Sequence, residues 1–157
     1  MMGAGKSTLG RIVAKKKTLK FIDTDSNIEK NCSMTISDIF KKKGENFFRI
    51  QEEKEVLESL KKSKAIIAIG GGAFINKKIR DVILKDCISI WLDVNLHTIK
   101  KRTKWNKKRP LLNGKNIQET IKKINIERKN IYKLATHRIN CSNLSKETII
   151  KKIIFFY

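Results

Sequence analysis

Met1-Met2-Gly3-Ala4-Gly5-Lys6-Ser7-Thr8-Leu9-Gly10 opens the chain and decides how everything after it is read. Gly3, Ala4, Gly5, Lys6, Ser7 and Thr8 match the second half of the phosphate-binding pattern G-x-x-x-x-G-K-[ST]. In that pattern backbone N–H groups cradle phosphate oxygens, the lysine reaches the β- and γ-phosphates of ATP, and the serine hydroxyl binds Mg²⁺. Residues 6–17 follow as a helix, whose first-turn amides and dipole favour an anion. The plainer alternative is a glycine-rich turn in front of an ordinary helix. Counting back from Gly5-Lys6, the first glycine of the pattern falls just ahead of Met1, and so does the strand that feeds such a loop. The expectation is therefore that the sequence starts inside the loop, through a misplaced start or a truncated gene.

Downstream, short apolar runs alternate with longer helical patterns, the rhythm of βαβ units and a parallel sheet. Strands are expected at 19–22, 65–69, 88–92 and 137–140, and helices at 6–17, 35–42, 45–62, 77–84, 96–103, 117–134 and from 146 onward. Repeats and Pro- or Ser-rich linkers are absent, so residues 1–157 form one domain. Three of the strands run into polar or glycine-rich segments: Asp23-Thr24-Asp25, Gly70-Gly71-Gly72 and Asp93-Val94-Asn95. In open α/β sheets ligands bind at the carboxyl ends of strands.

Each of those segments has a functional reading beside a bland one. Asp23 and Asp25 fall on one side of a strand end because side chains alternate with period 2. One carboxylate can hold the water shell of Mg²⁺, and the other can take a proton from a hydroxyl attacking phosphorus; otherwise an aspartate caps the helix starting near Ser26. Gly70, Gly71 and Gly72 clear side chains from the sheet edge, so backbone amides can touch a ligand; otherwise they form a flexible turn. Arg128 shares its helical stripe with Ile117, Ile121, Ile124, Ile131 and Ala135, and an inward arginine needs an anionic partner. Arg49 lies on the face that continues to Val56 and Leu60, with Glu52 three residues on as an internal partner. The two guanidiniums either grip a substrate carboxylate in bidentate fashion or serve internal ion pairs. The basic loop around Lys107-Lys108-Arg109-Pro110 can close over a nucleotide and deliver Arg109 to the transferring phosphate, or it is simply solvated.

Composition narrows the class. Hydrophobic residues make up 40% of the chain, and no apolar run approaches the roughly 18 residues needed to cross a bilayer. The first residues show no basic-then-apolar pattern of a signal region. Three cysteines, Cys32, Cys87 and Cys141, share no C-x-x-C spacing, which points away from a disulfide framework or a zinc site and toward a cytoplasmic protein. The net charge of +21 comes from lysines spread along the whole chain. We read it as compositional drift toward A/T-rich codons combined with an anionic substrate; a dedicated nucleic-acid surface is the competing reading.

Taken in order, the motifs resemble those of the shikimate kinase family. G-A-G-K-S-T-L-G is followed by F-I-D-T-D with Ile28-Glu29, then by I-F-x-x-x-G-E-x-x-F-R ending at Arg49, with Glu52-Glu53. G-G-G-A, the R-P-L-L of residues 109–112, and Arg128 with Tyr132 complete the succession. The resemblance implies an α/β, three-layer fold of the nucleoside-monophosphate-kinase type with a parallel sheet and a lid at residues 104–116. It also implies a cytoplasmic monomer, acting on neither nucleic acid nor membrane, that moves the γ-phosphate of ATP to the 3-hydroxyl of shikimate. By the same resemblance, residues 3–8 hold the ATP phosphates, Ser7 and Asp23 serve Mg²⁺, and Asp25 orients or deprotonates the attacking hydroxyl. Arg49, Arg128 and the Gly70–Gly72 backbone hold shikimate, Arg109 comes from the lid, and Arg102 takes the position that stacks on adenine. It further implies a central strand ahead of Met1, without which two strands have unpaired edges and the chain is poorly stable and weakly active. A gluconate or nucleoside-monophosphate kinase is the nearest rival, and a basic nucleic-acid-binding module is the rival from another class.

Overall fold

Apolar β-branched runs in this chain are short and end in helix-capping residues, and that fixes where each element stops. The computed structural model describes residues 1–103 and 116–157. Four strands, β1 (Lys20–Asp23), β2 (Ala65–Ala68), β3 (Ile90–Asp93) and β4 (His137–Asn140), alternate with helices. The helices are α1 (Lys6–Lys16), α2 (Thr24–Cys32), α3 (Ile36–Leu60), α4 (Lys77–Asp86), α5 (Leu96–Thr103), α6 (Ile117–Tyr132) and α7 (Lys146–Phe155). A short 3₁₀ turn, Ala73–Ile75, follows the triple glycine.

Capping side chains set the helix starts. Asp23 accepts a hydrogen bond from the Ser26 N–H at 3.4 Å, Thr35 from Asp38 at 3.1 Å, and Ser145 from Thr148 at 3.1 Å. Helix α2 thus starts at Thr24, two residues before the expected start near Ser26. The buried Thr24 hydroxyl donates to the Ala68 carbonyl at 3.3 Å, which ties the top of β1 to the top of β2. The two helices expected at 35–42 and 45–62 are continuous except at Gly44, whose φ of 85° and ψ of 167° break the helical path. The boundary read from sequence is a kink, not a loop. Strand β3 starts at Ile90 instead of 88, leaving Ile88 54% exposed ahead of it.

The strands form two parallel pairs. β1 runs beside β2 with Lys20 opposite Ala65 and Asp23 opposite Ala68. β3 runs beside β4 with Ile90 opposite His137 and Asp93 opposite Asn140. Among the described residues no strand joins the two pairs. A cavity of about 490 Å³ lies between β2 and β3, walled by side chains such as Ile66, Ile67 and Leu92. The main core gathers Val13 of α1, Val56 of α3, Ile79 of α4, Ile99 of α5 and Ile121 of α6, each almost fully buried. A second cluster, Ile28, Ile39 and Phe48, joins α2 to the kinked part of α3, where the Phe40 and Phe48 rings sit 4.9 Å apart.

Helix α1 approaches the first strand pair closely at Gly10. A Cβ there would lie 2.9 Å from the Phe21 ring and 3.4 Å from Ile66 Cγ2. A branched side chain must push the helix off the sheet, and overpacking of this kind costs about 1–3 kcal/mol. Gly10→Val is expected to lower the midpoint of thermal unfolding by several degrees, measured by circular dichroism. An unchanged midpoint would show that α1 is free to shift.

Candidate active site

The loop ahead of α1 is shaped by its glycines. Gly3 and Gly5 have φ of 68° and 88°, values that side chains bearing a Cβ rarely adopt. This curl turns the chain into α1, where the Leu9 N–H donates to the Gly5 carbonyl at 2.9 Å. No acidic residue occupies the first turn of α1, so the partial positive charge of the helix end stands unopposed by its own side chains. Lys6 Nζ reaches back to the Met1 carbonyl at 3.1 Å, spanning the loop. From the end of α5, Arg102 donates to the Gly3 carbonyl at 3.2 Å and so lies against the same loop.

Across the cavity, the triple glycine is packed from several sides. A Cβ on Gly70 would fall 2.5 Å from Glu52 Oε1 and 2.8 Å from Asp25 Oδ1, so two carboxylates occupy the volume a side chain would need. A Cβ on Gly72 would run into the Arg49 guanidinium. At Gly71 the nearest neighbours are the Met2 nitrogen and Arg128 Nη1, 3.5 and 3.6 Å from that position, and the Tyr132 hydroxyl donates to the Gly71 carbonyl at 2.5 Å. The turn is therefore closely packed on several sides.

Charge is balanced around that surface. Arg49 Nη1 donates to Glu52 Oε2 at 2.6 Å, and its Nη2 donates to the half-exposed Glu45 at 2.7 Å. The internal ion pairing considered for Arg49 is thus present, yet one of its two partners lies at the surface, where a ligand carboxylate can compete. Glu52 is 3% exposed. Burial raises its pKa above the ordinary glutamate value, Arg49 opposes that rise, and the neighbouring Asp25 reinforces it. Burial likewise raises the Tyr132 phenol, with Arg128 pulling the other way.

One cavity of about 630 Å³ takes in the loop residues 3–8, Asp23, Asp25, Arg49, the triple glycine, Arg102 and Arg128. All the site residues expected from sequence therefore meet, apart from Arg109, which with most of the 104–116 segment lies outside the described residues. Asp23 caps α2 and also lines the cavity, so its two readings coexist. Sequence reasoning had Glu52 only as a partner for Arg49; its placement against Gly70 beside Asp25 was missed, because burial on the inner side of a helix leaves no local mark. It also missed an apolar wall of Ile36, Phe40 and Phe48, and Cys141 opposite, whose thiol is pushed up to about 11 by burial and by Asp93. The Ser7 hydroxyl and the Asp23 carboxylate, both in the lining of this cavity, are hard oxygen donors of the kind that suits Mg²⁺.

Comparison with known proteins gives one answer. The family model described as shikimate kinase matches residues 2–157. The shikimate kinase of Bartonella quintana is 44% identical over 154 residues, covering 98% of this chain and 73% of that protein. The Bacillus subtilis shikimate kinase is 37% identical over 155 residues, covering 98% of this chain and 83% of the relative. Among solved structures, a shikimate kinase from Acinetobacter baumannii in complex with shikimate superposes with a TM-score of 0.93 at 30% identity, over 98% of this chain and 86% of that one. The shikimate kinase from Aquifex aeolicus gives 0.85 at 29% identity, over 99% and 91%.

The buried Glu52 makes a pH-dependent prediction. Its folded-state pKa is raised, so the native state holds the proton more tightly than the unfolded chain does. Glu52 therefore weakens the fold as pH rises through the ordinary glutamate range and its raised folded value, and stays unfavourable above it. Glu52→Gln is expected to raise the melting midpoint at pH 7 and to lose that advantage below about pH 4, where both states of the parent are protonated. A variant less stable than the parent at pH 7 would mean that the Arg49 pair outweighs burial.

Proposed function

This chain belongs to the shikimate kinase family, and we propose that the cavity between the phosphate loop and the triple glycine is its catalytic site. The activity is the ATP-dependent phosphorylation of shikimate, on the route to aromatic amino acids. The observation that carries the residue assignment is the convergence of Arg49, Arg128 and Asp25 on one rigid glycine surface, facing the loop across a single cavity.

In this reading the loop residues 3–8 hold the nucleotide phosphates, Lys6 neutralises charge on the transferring group, and Ser7 with Asp23 holds Mg²⁺. The bound nucleotide and metal supply the phosphoryl group and the charge that activates it. The chain supplies position and electrostatics, which is most of what phosphoryl transfer asks of a protein. Arg128 and Arg49 bind the substrate carboxylate as planar forks, Arg49 exchanging its Glu45 contact for the ligand while Glu52 keeps it in place. That anchoring points the ring hydroxyls at Asp25 in the first turn of α2. Asp25 would hydrogen-bond the 3-hydroxyl and take its proton as that oxygen bonds to the γ-phosphorus and the bond from phosphorus to the departing ADP breaks. Arg102, already against the loop at Gly3, covers the adenine side, and Arg109 meets the charge that develops during transfer. Among the described residues no helix is long and apolar enough to cross a membrane. We assign the protein to the cytoplasm as a monomer without a nucleic-acid partner, a reading supported by the scattering of its lysines.

Coupled release of ADP that depends on shikimate tests the reading directly. Turnover of gluconate or a nucleoside monophosphate instead would move the residue roles to a rival substrate. Asp25→Asn should lower kcat by at least about 100-fold, the usual loss of an acid–base group, with an unchanged circular dichroism spectrum. Near-normal turnover would reduce Asp25 to a first-turn residue of α2. Arg128→Ala and Arg128→Lys should both weaken shikimate binding by about 2–5 kcal/mol, as read by calorimetry, while nucleotide affinity holds. Equal losses for both ligands would make Arg128 structural.

A further inference from the structure

On α6, Arg128 and Tyr132 stand four residues apart, which puts them on one face of the helix a turn from each other. Arg128 lines the catalytic cavity, whereas Tyr132 is buried outside that lining. The phenol is held from two directions. Its ring packs against Trp91 of β3 with centroids 6.0 Å apart, and its hydroxyl donates to the Gly71 carbonyl at 2.5 Å. Burial raises the phenol pKa, and Arg128 opposes that rise by its charge and as a hydrogen-bond donor to the same oxygen. The phenol therefore keeps its proton at neutral pH. One oxygen gives that proton to the glycine turn and offers a lone pair to the guanidinium.

Arg128 also meets Gly71 directly, with Nη1 3.6 Å from where a Cβ on that glycine would stand. Arg128, Tyr132 and Gly71 thus form a closed triangle of contacts. An arginine side chain has many rotamers, and freezing them at the moment of binding detracts from affinity. A guanidinium already held in the free protein avoids that loss. The two cavity arginines are held by different chemistry. Arg49 is gripped by the carboxylates of Glu45 and Glu52. Beside Arg128 stands a neutral phenol, which orients a guanidinium without neutralising it and leaves its charge for a ligand carboxylate.

We propose that the Tyr132 hydroxyl is a positioning group of the substrate clamp: bonded to the Gly71 carbonyl, it holds the Arg128 fork over the triple glycine without touching substrate. The inference rests on the kinase reading of the cavity. It separates Tyr132 from a mere staple between α6 and the end of β2, because its effect on the substrate must pass through Arg128.

The parent, Tyr132→Phe, Arg128→Ala and the double variant are compared by shikimate kinetics, by calorimetry with shikimate and with ADP, and by melting midpoint. Tyr132→Phe should raise the Kd and KM for shikimate about tenfold, the size of a lost hydrogen bond to a charged group. Its kcat at saturating shikimate and its ADP affinity should match the parent. In the Arg128→Ala background, the same change should lower kcat/KM for shikimate by less than about twofold, since the two side chains act as one unit. A full second tenfold loss there would show that the hydroxyl acts through the turn alone, and would overturn the proposal. A lowered midpoint with unchanged shikimate affinity would reduce Tyr132 to a staple, and equal losses for shikimate and ADP would make it a general structural residue; either overturns it. A second measurement does not depend on how the phenylalanine variant folds. The chain has two tyrosines, so Tyr157→Phe leaves Tyr132 as the single site for fluorotyrosine. Its fluorine resonance should shift when shikimate binds and hold when ADP binds; the converse would overturn the proposal. A parent that binds ADP but not shikimate would sink the kinase reading and this inference with it, whereas a parent that binds both beside an unaffected Tyr132→Phe sinks the inference alone.

Discussion

Three consecutive positions without side chains, Gly70, Gly71 and Gly72, let four elements of this molecule meet in one place. The volume that a Cβ would take at Gly70 is held by Glu52 of α3 and Asp25 of α2, and at Gly72 by the Arg49 guanidinium. Tyr132 of α6 bonds the Gly71 carbonyl, and the chain leading into the phosphate loop passes the same residue. Each of these side chains approaches backbone that no side chain of the turn shields. Thr24, whose hydroxyl reaches the Ala68 carbonyl, extends the same registration to β1.

Electrostatics inside the cavity follow from that packing. The chain as a whole is strongly cationic, yet Arg49 and Arg128 share the surroundings of the triple glycine with the carboxylates Glu52 and Asp25, and Arg49 is ion-paired to Glu52. Glu52 is held unfavourably, by burial and by Asp25, and the Arg49 fork is what makes its position tolerable. This packing brings the Asp25 and Glu52 carboxylates together against Gly70. The opposite side is cationic and rich in backbone amides, as a nucleotide phosphate requires.

Much of this was legible in the sequence, for identifiable reasons. The glycine–lysine loop, the two aspartates after β1 and the triple glycine are contiguous motifs, and contiguous motifs survive the step from sequence to structure. Arg128 was legible because helical periodicity placed it on an apolar stripe. Strand ends moved by a residue or two where caps compete with the sheet, and Gly44 proved a kink because a single non-helical residue separates the two helical stretches. Glu52 resisted reading: spacing marks it as a partner of Arg49, but its approach to Gly70 depends on how α3 docks on β2, a long-range fact.

The central claim is that an empty backbone surface at the triple glycine builds the substrate side of the site. It is tested most directly by titrating shikimate and ADP separately into Gly70→Ala by calorimetry. The account predicts that shikimate binding is lost or falls by at least about tenfold, equivalent to 1.4 kcal/mol, because Asp25 and Glu52 must move, while ADP binds as in the parent. Unchanged shikimate affinity, with the folded state intact, would contradict it.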